Sequence, residues 1–89
     1  MKYHLFTILE RNGEYENHTE YLLATEGNID VDQEGLRLAR EHRSSRIDQW
    51  DDLEGGYWAD HMLIFFDNHK EIPPEHGEVL AEYICTEFV

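Results

Sequence analysis

Histidine and carboxylate side chains are the groups of this chain that could hold a metal ion. The 89 residues include six histidines and 20 aspartates and glutamates, and both types are ligands of zinc. Their spacing argues against a site. His61 follows Asp60 and His69 lies near Asp67, but no two histidines have the i, i+4 spacing of a helical ligand set and no Cys/His ribbon occurs. His4 and His61 would face each other only if the first and third predicted strands pair. We predict no metal and no cofactor.

Nucleophilic catalysis has no better support in the sequence. Cys85 lies near the end of the last predicted helix, on its apolar side, where cysteine usually serves as a small buried hydrophobe. Ser44 and Ser45 follow a basic helix end, and the chain has no nucleophile elbow, phosphate-binding glycine loop or dinucleotide fingerprint. Neighbouring carboxylates such as Asp51 and Asp52 suit acid–base work, but an acidic surface explains them equally well. The sequence predicts that the protein is not an enzyme.

Acidic and aromatic residues of the second half of the chain form the third candidate. Five carboxylates between positions 48 and 60 are interleaved with three aromatic rings, and further glutamates follow on a predicted helix. Aromatic side chains anchor protein interfaces, and carboxylates steer a basic partner towards them. We therefore predict a binding surface. Its residues are Asp48, Trp50, Asp51, Asp52, Glu54, Tyr57, Trp58, Asp60, Glu75, Glu78 and Glu82.

Net charge limits the partners that such a surface can bind. Twenty acidic and seven basic residues give −13, of which residues 1–46 contribute −3 and residues 47–89 contribute −10. Direct binding to nucleic acid or to an anionic membrane is disfavoured, because few side chains can neutralise phosphates. A protein with a basic surface is the expected partner. One alternative is that the charge only keeps a small domain soluble. Another is that it imitates the phosphates of DNA and fills a nucleic-acid-binding groove.

The chain length, the single cysteine and the short apolar runs limit the size and the expected location of the protein. A chain of 89 residues forms one domain, residues 1–89. Its single cysteine cannot form an internal disulfide, so nothing indicates an oxidising compartment. The N-terminal residues alternate like a strand rather than forming a signal peptide, and the longest apolar run, residues 62–66, is too short to cross a bilayer. We expect a cytoplasmic protein.

Two predicted strands begin the chain. Residues 3–10 are rich in aromatic and β-branched types, and Asn12-Gly13 is a strong signal for a two-residue hairpin loop. That loop would pair Phe6 with Thr19 and place His4, Phe6, Ile8, Tyr15, Tyr21 and Leu23 on one face. The opposite face would be half solvated. Its apolar residues, with Leu22, would form an exposed strip that a self-associating structural domain could use: Tyr3, Leu5 and Leu9.

The remaining elements predict an α+β fold in the order β-β-α-β-α. A helix over about 32–44 is capped by Asp30 or Asp32. Residues 47–56 are predicted to be a loop ending in a flexible diglycine, residues 57–66 a central strand, and residues 67–70 a turn. Pro74 begins the last helix, in which apolar residues recur as far as Phe88. We expect a three-stranded antiparallel sheet packed by two helices.

The layout resembles that of short uncharacterised bacterial and phage proteins, chiefly through the Glu71-Ile72-Pro73-Pro74-Glu75 entry into the last helix. Size and charge also make the chain similar to small acidic inhibitors, among them DNA-mimicking anti-restriction or anti-CRISPR proteins and toxin-immunity proteins. The second likeness is physical, and no functional residue is transferred by it. It implies an inhibitory, protein-binding function. The residues themselves leave two alternatives: a self-associating structural domain that forms a homodimer through the apolar strip, and a small metal-binding enzyme.

Overall fold

The computed structural model describes residues 1–42, 47–59 and 61–89. Within those ranges, two helices and six strands follow one another along the chain. They are β1 (Lys2–Asn12), β2 (Tyr15–Thr25), α1 (Val31–His42), β3 (Ile47–Asp51), β4 (Gly56–Ala59), β5 (Met62–Ile72), α2 (Pro74–Ala81) and β6 (Thr86–Phe88). The α+β class is confirmed. The three-stranded antiparallel sheet is wrong, because the sheet has six strands in the order β3-β4-β5-β1-β2-β6 and the β2–β6 pair is parallel.

Two glycines explain why residues 47–66 form three strands instead of a loop and one strand. Gly55 has a φ of 72° and ends the turn between β3 and β4. A Cβ on Gly56 would lie 2.6 Å from the carbonyl oxygen of Ile64, so β4 needs glycine here to approach β5. The predicted flexible diglycine is therefore a pair of fixed backbone positions. Asp60 lies between β4 and β5, outside the described residues.

The first hairpin forms, but its loop is one residue further along than predicted. Asn12 pairs with Tyr15, so the loop residues are Gly13 and Glu14, and Gly13 supplies the positive φ, 62°, that a primed turn needs. Phe6 consequently pairs with Tyr21 instead of Thr19. A shift of two residues leaves every side chain on its predicted face, because side chains alternate with a period of two.

The second half of β5 replaces the turn predicted at residues 67–70. β5 continues to Ile72 and pairs with β1 along its length, with a bulge where Thr7 is followed by Ile8. Pro74 begins α2 as predicted, but α2 ends at Ala81. The chain then turns back, and Phe88 lies in the edge strand β6 instead of extending the helix.

The helices cover opposite faces of the sheet. On one face α1 packs Leu38 and Ala39 against Phe6 and Ile8 of β1. On the other, α2 lies over Tyr3, and a Cβ on Gly77 would be 2.1 Å from the Tyr3 ring. The crossovers β2–α1–β3 and β5–α2–β6 run in opposite directions along the sheet, so a common handedness places their helices on opposite faces.

Helix α2 also overturns the predicted exposed apolar strip. Tyr3, Leu9 and Leu22 are buried, and Leu5 packs as a partly buried residue beside α2. Tyr3, Leu5 and Leu22 belong to the apolar cluster under α2, and Leu9 is buried as well, so these residues do not form the exposed strip that the sequence predicted.

Helix α1 begins as the sequence predicts. The Asp30 carboxylate accepts a hydrogen bond from the backbone N–H of Gln33 at 3.2 Å, which is N-cap geometry. Arg37 forms ion pairs with Glu34 and Glu41 of α1 and with Glu87 of β6. These bonds hold the helix to the edge strand. Neither of the helices in the described ranges has the length and apolar character needed to cross a bilayer.

Candidate functional site: an acidic hairpin and two buried histidine contacts

A single carboxylate, that of Asp51, organises the turn between β3 and β4. One of its oxygens accepts hydrogen bonds from the backbone N–H groups of Leu53 at 3.0 Å and Glu54 at 3.2 Å. Its other oxygen accepts from the indole Nε1 of Trp58 at 2.9 Å. These bonds lower the pKa of Asp51, the Trp58 bond most strongly. The turn is therefore preorganised by the side chain that the sequence analysis assigned to partner binding.

The turn presents an apolar side chain to solvent. Leu53 is 97% exposed at the tip. Behind it, Trp50 is 39% exposed and packs edge-on against Tyr57, with ring centroids 4.8 Å apart. The indole of Trp50 also donates a hydrogen bond to the Asp52 carboxylate. We call Trp50, Asp52, Leu53 and Glu54 the hairpin surface.

The carboxylates of the hairpin surface have no ion-pair partner within residues 1–42, 47–59 and 61–89. In the described ranges, no lysine, arginine or histidine forms an ion pair with Asp52 or Glu54, which are exposed. The Asp48 side chain and all of Asp60 lie outside the described part of the site. Carboxylates beside an exposed leucine suit a partner with basic and apolar groups.

The glutamates of α2 lie away from this surface. Glu75, Glu78 and Glu82 are exposed on the helix that covers Tyr3 and Ile72. The hairpin joins the sheet through Tyr57, which pairs with Ile64 of β5. Eight residues of strand between Ile64 and Ile72 span about 25 Å. The predicted binding residues therefore fall into two separate groups.

A buried hydrogen-bonded network joins α1 to the sheet, and the sequence analysis did not identify it. His42, in the last turn of α1, contacts the Glu10 carboxylate through Nε2 and the Tyr21 hydroxyl through Nδ1. The side chains of Glu10 and His42 are 5% and 10% exposed. Burial raises the pKa of Tyr21, and the charge of Glu10 raises it further. The Glu10 carboxylate can only accept, so the neutral imidazole carries its proton on Nε2, and its Nδ1 accepts from the Tyr21 hydroxyl.

This arrangement can relay a proton along a carboxylate, an imidazole and a phenol. It is also a satisfied polar network, in which both ring nitrogens of His42 have partners. Buried networks of this kind fix one packing of the elements that contribute to them. Here they fix the end of α1 against β1 and β2.

A second histidine contact lies on the same face of the sheet. His4 Nδ1 is 2.9 Å from His69 Nε2, and the two rings stack with centroids 5.1 Å apart. His4 is 4% exposed, and its Nε2 has no hydrogen-bond partner in the part of the chain that the structure describes. One feature of the sequence indicates both the His42 network and the His4–His69 contact. His4 and Glu10 alternate along β1 with Phe6 and Ile8, so they occupy core-facing positions.

The described residues include no group of three or more histidine, cysteine or carboxylate side chains that could hold a metal ion. His61, considered above as a partner for His4, lies in the turn before β5, while His4 contacts His69.

Comparison of the chain with protein-family models, with curated proteins and with solved structures found no match. Geometry and charge are therefore the basis of the functional argument below.

Proposed function

We propose that the protein is a small acidic binding domain that uses the hairpin surface to engage a basic region of another protein, with inhibition of that partner as the biological outcome. The observation that carries the proposal is the nearly complete exposure of Leu53 on a turn held rigid by Asp51. Exposed apolar side chains are ordinary when scattered. This one is fixed in place, adjoins a half-exposed tryptophan and is flanked by two carboxylates without an ion-pair partner among the described residues.

Preorganisation favours binding over solvation as the reason for this arrangement. A turn that serves only solubility gains nothing from an apolar tip or from a fixed backbone. A binding surface gains from both, because a rigid anchor loses less conformational entropy when a complex forms. Trp50 and Leu53 would supply the buried anchor, while Asp52 and Glu54 would form a charged rim that accelerates association.

The same charges favour a protein as the partner. A surface of this sign repels nucleic acid and anionic lipid, and it attracts a surface that binds them. Mimicry of nucleic-acid phosphates is one form that the inhibition would take. The exposed free thiol of Cys85 is suited to a reducing compartment, so we place the interaction in the cytoplasm.

The test compares proteins retained from the native cell by tagged wild-type protein and by two variants. Leu53→Ala removes the apolar tip, and Val79→Ala removes an exposed apolar side chain of α2 as the matched control. We expect a basic protein that the wild type and Val79→Ala retain and that Leu53→Ala loses. A partner retained equally by all three proteins would contradict the proposal.

A further inference from the structure

The contact between His4 and His69 joins the two central strands of the sheet at a defined place. His4 lies in β1 and His69 in β5, with the ring of Phe6 4.8 Å from that of His69. His4 is buried, and the 2.9 Å separation of its Nδ1 from His69 Nε2 requires one hydrogen between the two nitrogens. One ring therefore donates and the other accepts. A ring nitrogen donates only when it carries a proton and accepts only when it does not, so this hydrogen bond exists in some protonation states of the pair and not in others.

The unpartnered Nε2 of His4 selects the donor. If Nδ1 of His4 accepted, the proton of the neutral ring would lie on Nε2, where a buried N–H has no acceptor. Such an unsatisfied donor is costly. If Nδ1 carries the proton and donates to His69, Nε2 is left with a lone pair alone. Neutral His4 is thus the Nδ1–H tautomer, and His69 accepts on Nε2.

Protonation of either ring breaks this arrangement. A second proton on His4 would occupy the buried Nε2 without an acceptor, and a proton on Nε2 of His69 would oppose the Nδ1–H of His4. The charged or titratable groups that act on His4 are His69 and Glu71 of β5 and Lys2 of β1. β2 places the apolar Leu23 opposite His4.

A bulge divides the β1–β5 pair into two halves, and both histidines lie in the same half. The bulge follows Thr7 and separates the half that contains both histidines, residues 2–7 with residues 68–72, from the half around Ile64. Helix α2 packs on the reverse of the first half, over Tyr3 and Ile72. We propose that the His4–His69 contact is an acid-sensitive latch, which at mildly acidic pH loosens this half of the β1–β5 pair together with α2.

The sign of the pH effect follows from the burial of His4. Burial lowers the pKa of His4 from its ordinary 6.5, and His69 lowers it further, against the opposing effect of Glu71. The opened state therefore binds a proton more readily than the closed one. The contribution to stability is complete above pH 6.5 and is lost as the pH falls from there towards the pKa of the closed state. At still lower pH, each unit by which that pKa is lowered makes opening about tenfold more favourable.

Two measurements on the whole chain test the latch, which is independent of partner binding. The first is the ¹⁵N spectrum of the imidazoles of the wild-type protein near neutral pH. We expect His4 as the Nδ1–H tautomer, titrating below its ordinary value. A proton on Nε2 of His4, or titration of His4 at or above the ordinary value, would overturn the proposal without the need for a variant.

The second measurement is amide hydrogen exchange, corrected for its intrinsic pH dependence, at about pH 7.5 and about pH 5.5, on either side of histidine titration. In the wild type we expect residues 2–7, 68–72 and α2 to lose protection by up to about tenfold at about pH 5.5, which is about one unit below the ordinary pKa of 6.5, while residues 62–66 do not. His4→Phe, which keeps a ring but cannot titrate, should remove that loss. His76→Gln, at an exposed histidine of α2, should keep it. An equal loss in both halves of β5, or the same loss in His4→Phe, would refute the latch.

Discussion

The indole of Trp58 donates a hydrogen bond of 2.9 Å to the carboxylate of Asp51, seven residues earlier and on the neighbouring strand. The same carboxylate accepts two backbone N–H groups of the turn. One side chain thus fixes both the loop backbone and the pairing of β3 with β4. Under the proposed function, Asp51 would act on a partner through the position it gives Leu53, and Asp52 and Glu54 would supply the charge.

Replacement of Asp51 tests that division of roles. Asp51→Ala removes three hydrogen bonds at once and should lower the melting temperature and weaken partner binding together. Asp51→Asn keeps an oxygen for the two backbone N–H groups and should retain more of both, which thermal unfolding followed by circular dichroism would measure. Equal effects of the two variants would contradict a role in ordering the turn.

The lowered pKa of Asp51 makes the stabilisation by its three hydrogen bonds depend on pH. A carboxyl group whose folded pKa lies below its ordinary value of 3.8 stabilises the fold at pH values above that value. The contribution is lost as the pH falls through the folded pKa. Thermal unfolding at a series of acidic pH values should therefore show a smaller loss for Asp51→Asn than for the wild type. Parallel curves would show that Asp51 does not contribute.

The packing of α2 predicts the effect of a single methyl group. A Cβ at position 77 would lie 2.1 Å from the ring of Tyr3, whereas one at position 27 would have no atom within 4 Å. We expect Gly77→Ala to lower the free energy of unfolding by about 1–3 kcal/mol through overpacking. Gly27→Ala should change it by less than about 0.5 kcal/mol. Urea unfolding measures both, and a mild effect of Gly77→Ala would contradict the placement of α2 on this face.

The Glu10–His42–Tyr21 network predicts coupling between its members. Tyr21→Phe removes one hydrogen bond and should cost about 1 kcal/mol. His42→Ala should cost about 2–4 kcal/mol, because a nearly buried ring and its bonds to both neighbours are lost. The double variant should cost less than the sum, since the Tyr21 hydroxyl loses its partner in either case. Additive costs in urea unfolding would show that the bonds do not form a unit.

The raised pKa of Tyr21 adds an alkaline limit to stability. A phenol whose folded pKa exceeds its ordinary value of 10.0 stabilises the fold below that pH. The contribution disappears as the pH rises through the folded pKa. The wild type should accordingly lose more stability than Tyr21→Phe in this range, as measured by urea unfolding. An equal loss in both proteins would exclude Tyr21 as the cause.

Local signals in the sequence were enough to predict the first hairpin, a cap of α1 by either Asp30 or Asp32, and the start of α2 at Pro74. Each depends on residues within a few positions of one another, so local sequence carries the information. The loop position was wrong because Asn12-Gly13 and Gly13-Glu14 are both compatible with a two-residue turn. In the structure β1 extends to Asn12, which pairs with Tyr15, and β1 also pairs with β5 as far as Arg11. The loop is therefore Gly13-Glu14.

The additional strands and the histidine contacts depend on distant residues. From the sequence alone Gly56 is predicted to be flexible, but in the structure β5 lies against it. Phe88 is predicted to be part of a helix, but in the structure its strand pairs with β2 in parallel. The His4–His69 contact spans 65 positions. No periodicity links such positions, although the presence of His4 and Glu10 among the core-facing residues of β1 marks them as buried polar groups in need of partners.

The most direct test of the binding role measures the affinity of the purified partner for three variants that each remove two negative charges. Asp52→Asn with Glu54→Gln alters the hairpin surface, Glu75→Gln with Glu78→Gln alters α2, and Glu14→Gln with Glu26→Gln alters exposed positions elsewhere.

We predict that the hairpin variant binds up to about tenfold more weakly than the wild type at low salt, that the other two bind nearly as the wild type does, and that the difference shrinks at high salt. Equal weakening by all three variants would show that net charge alone attracts the partner. Undiminished binding of the hairpin variant would contradict the account.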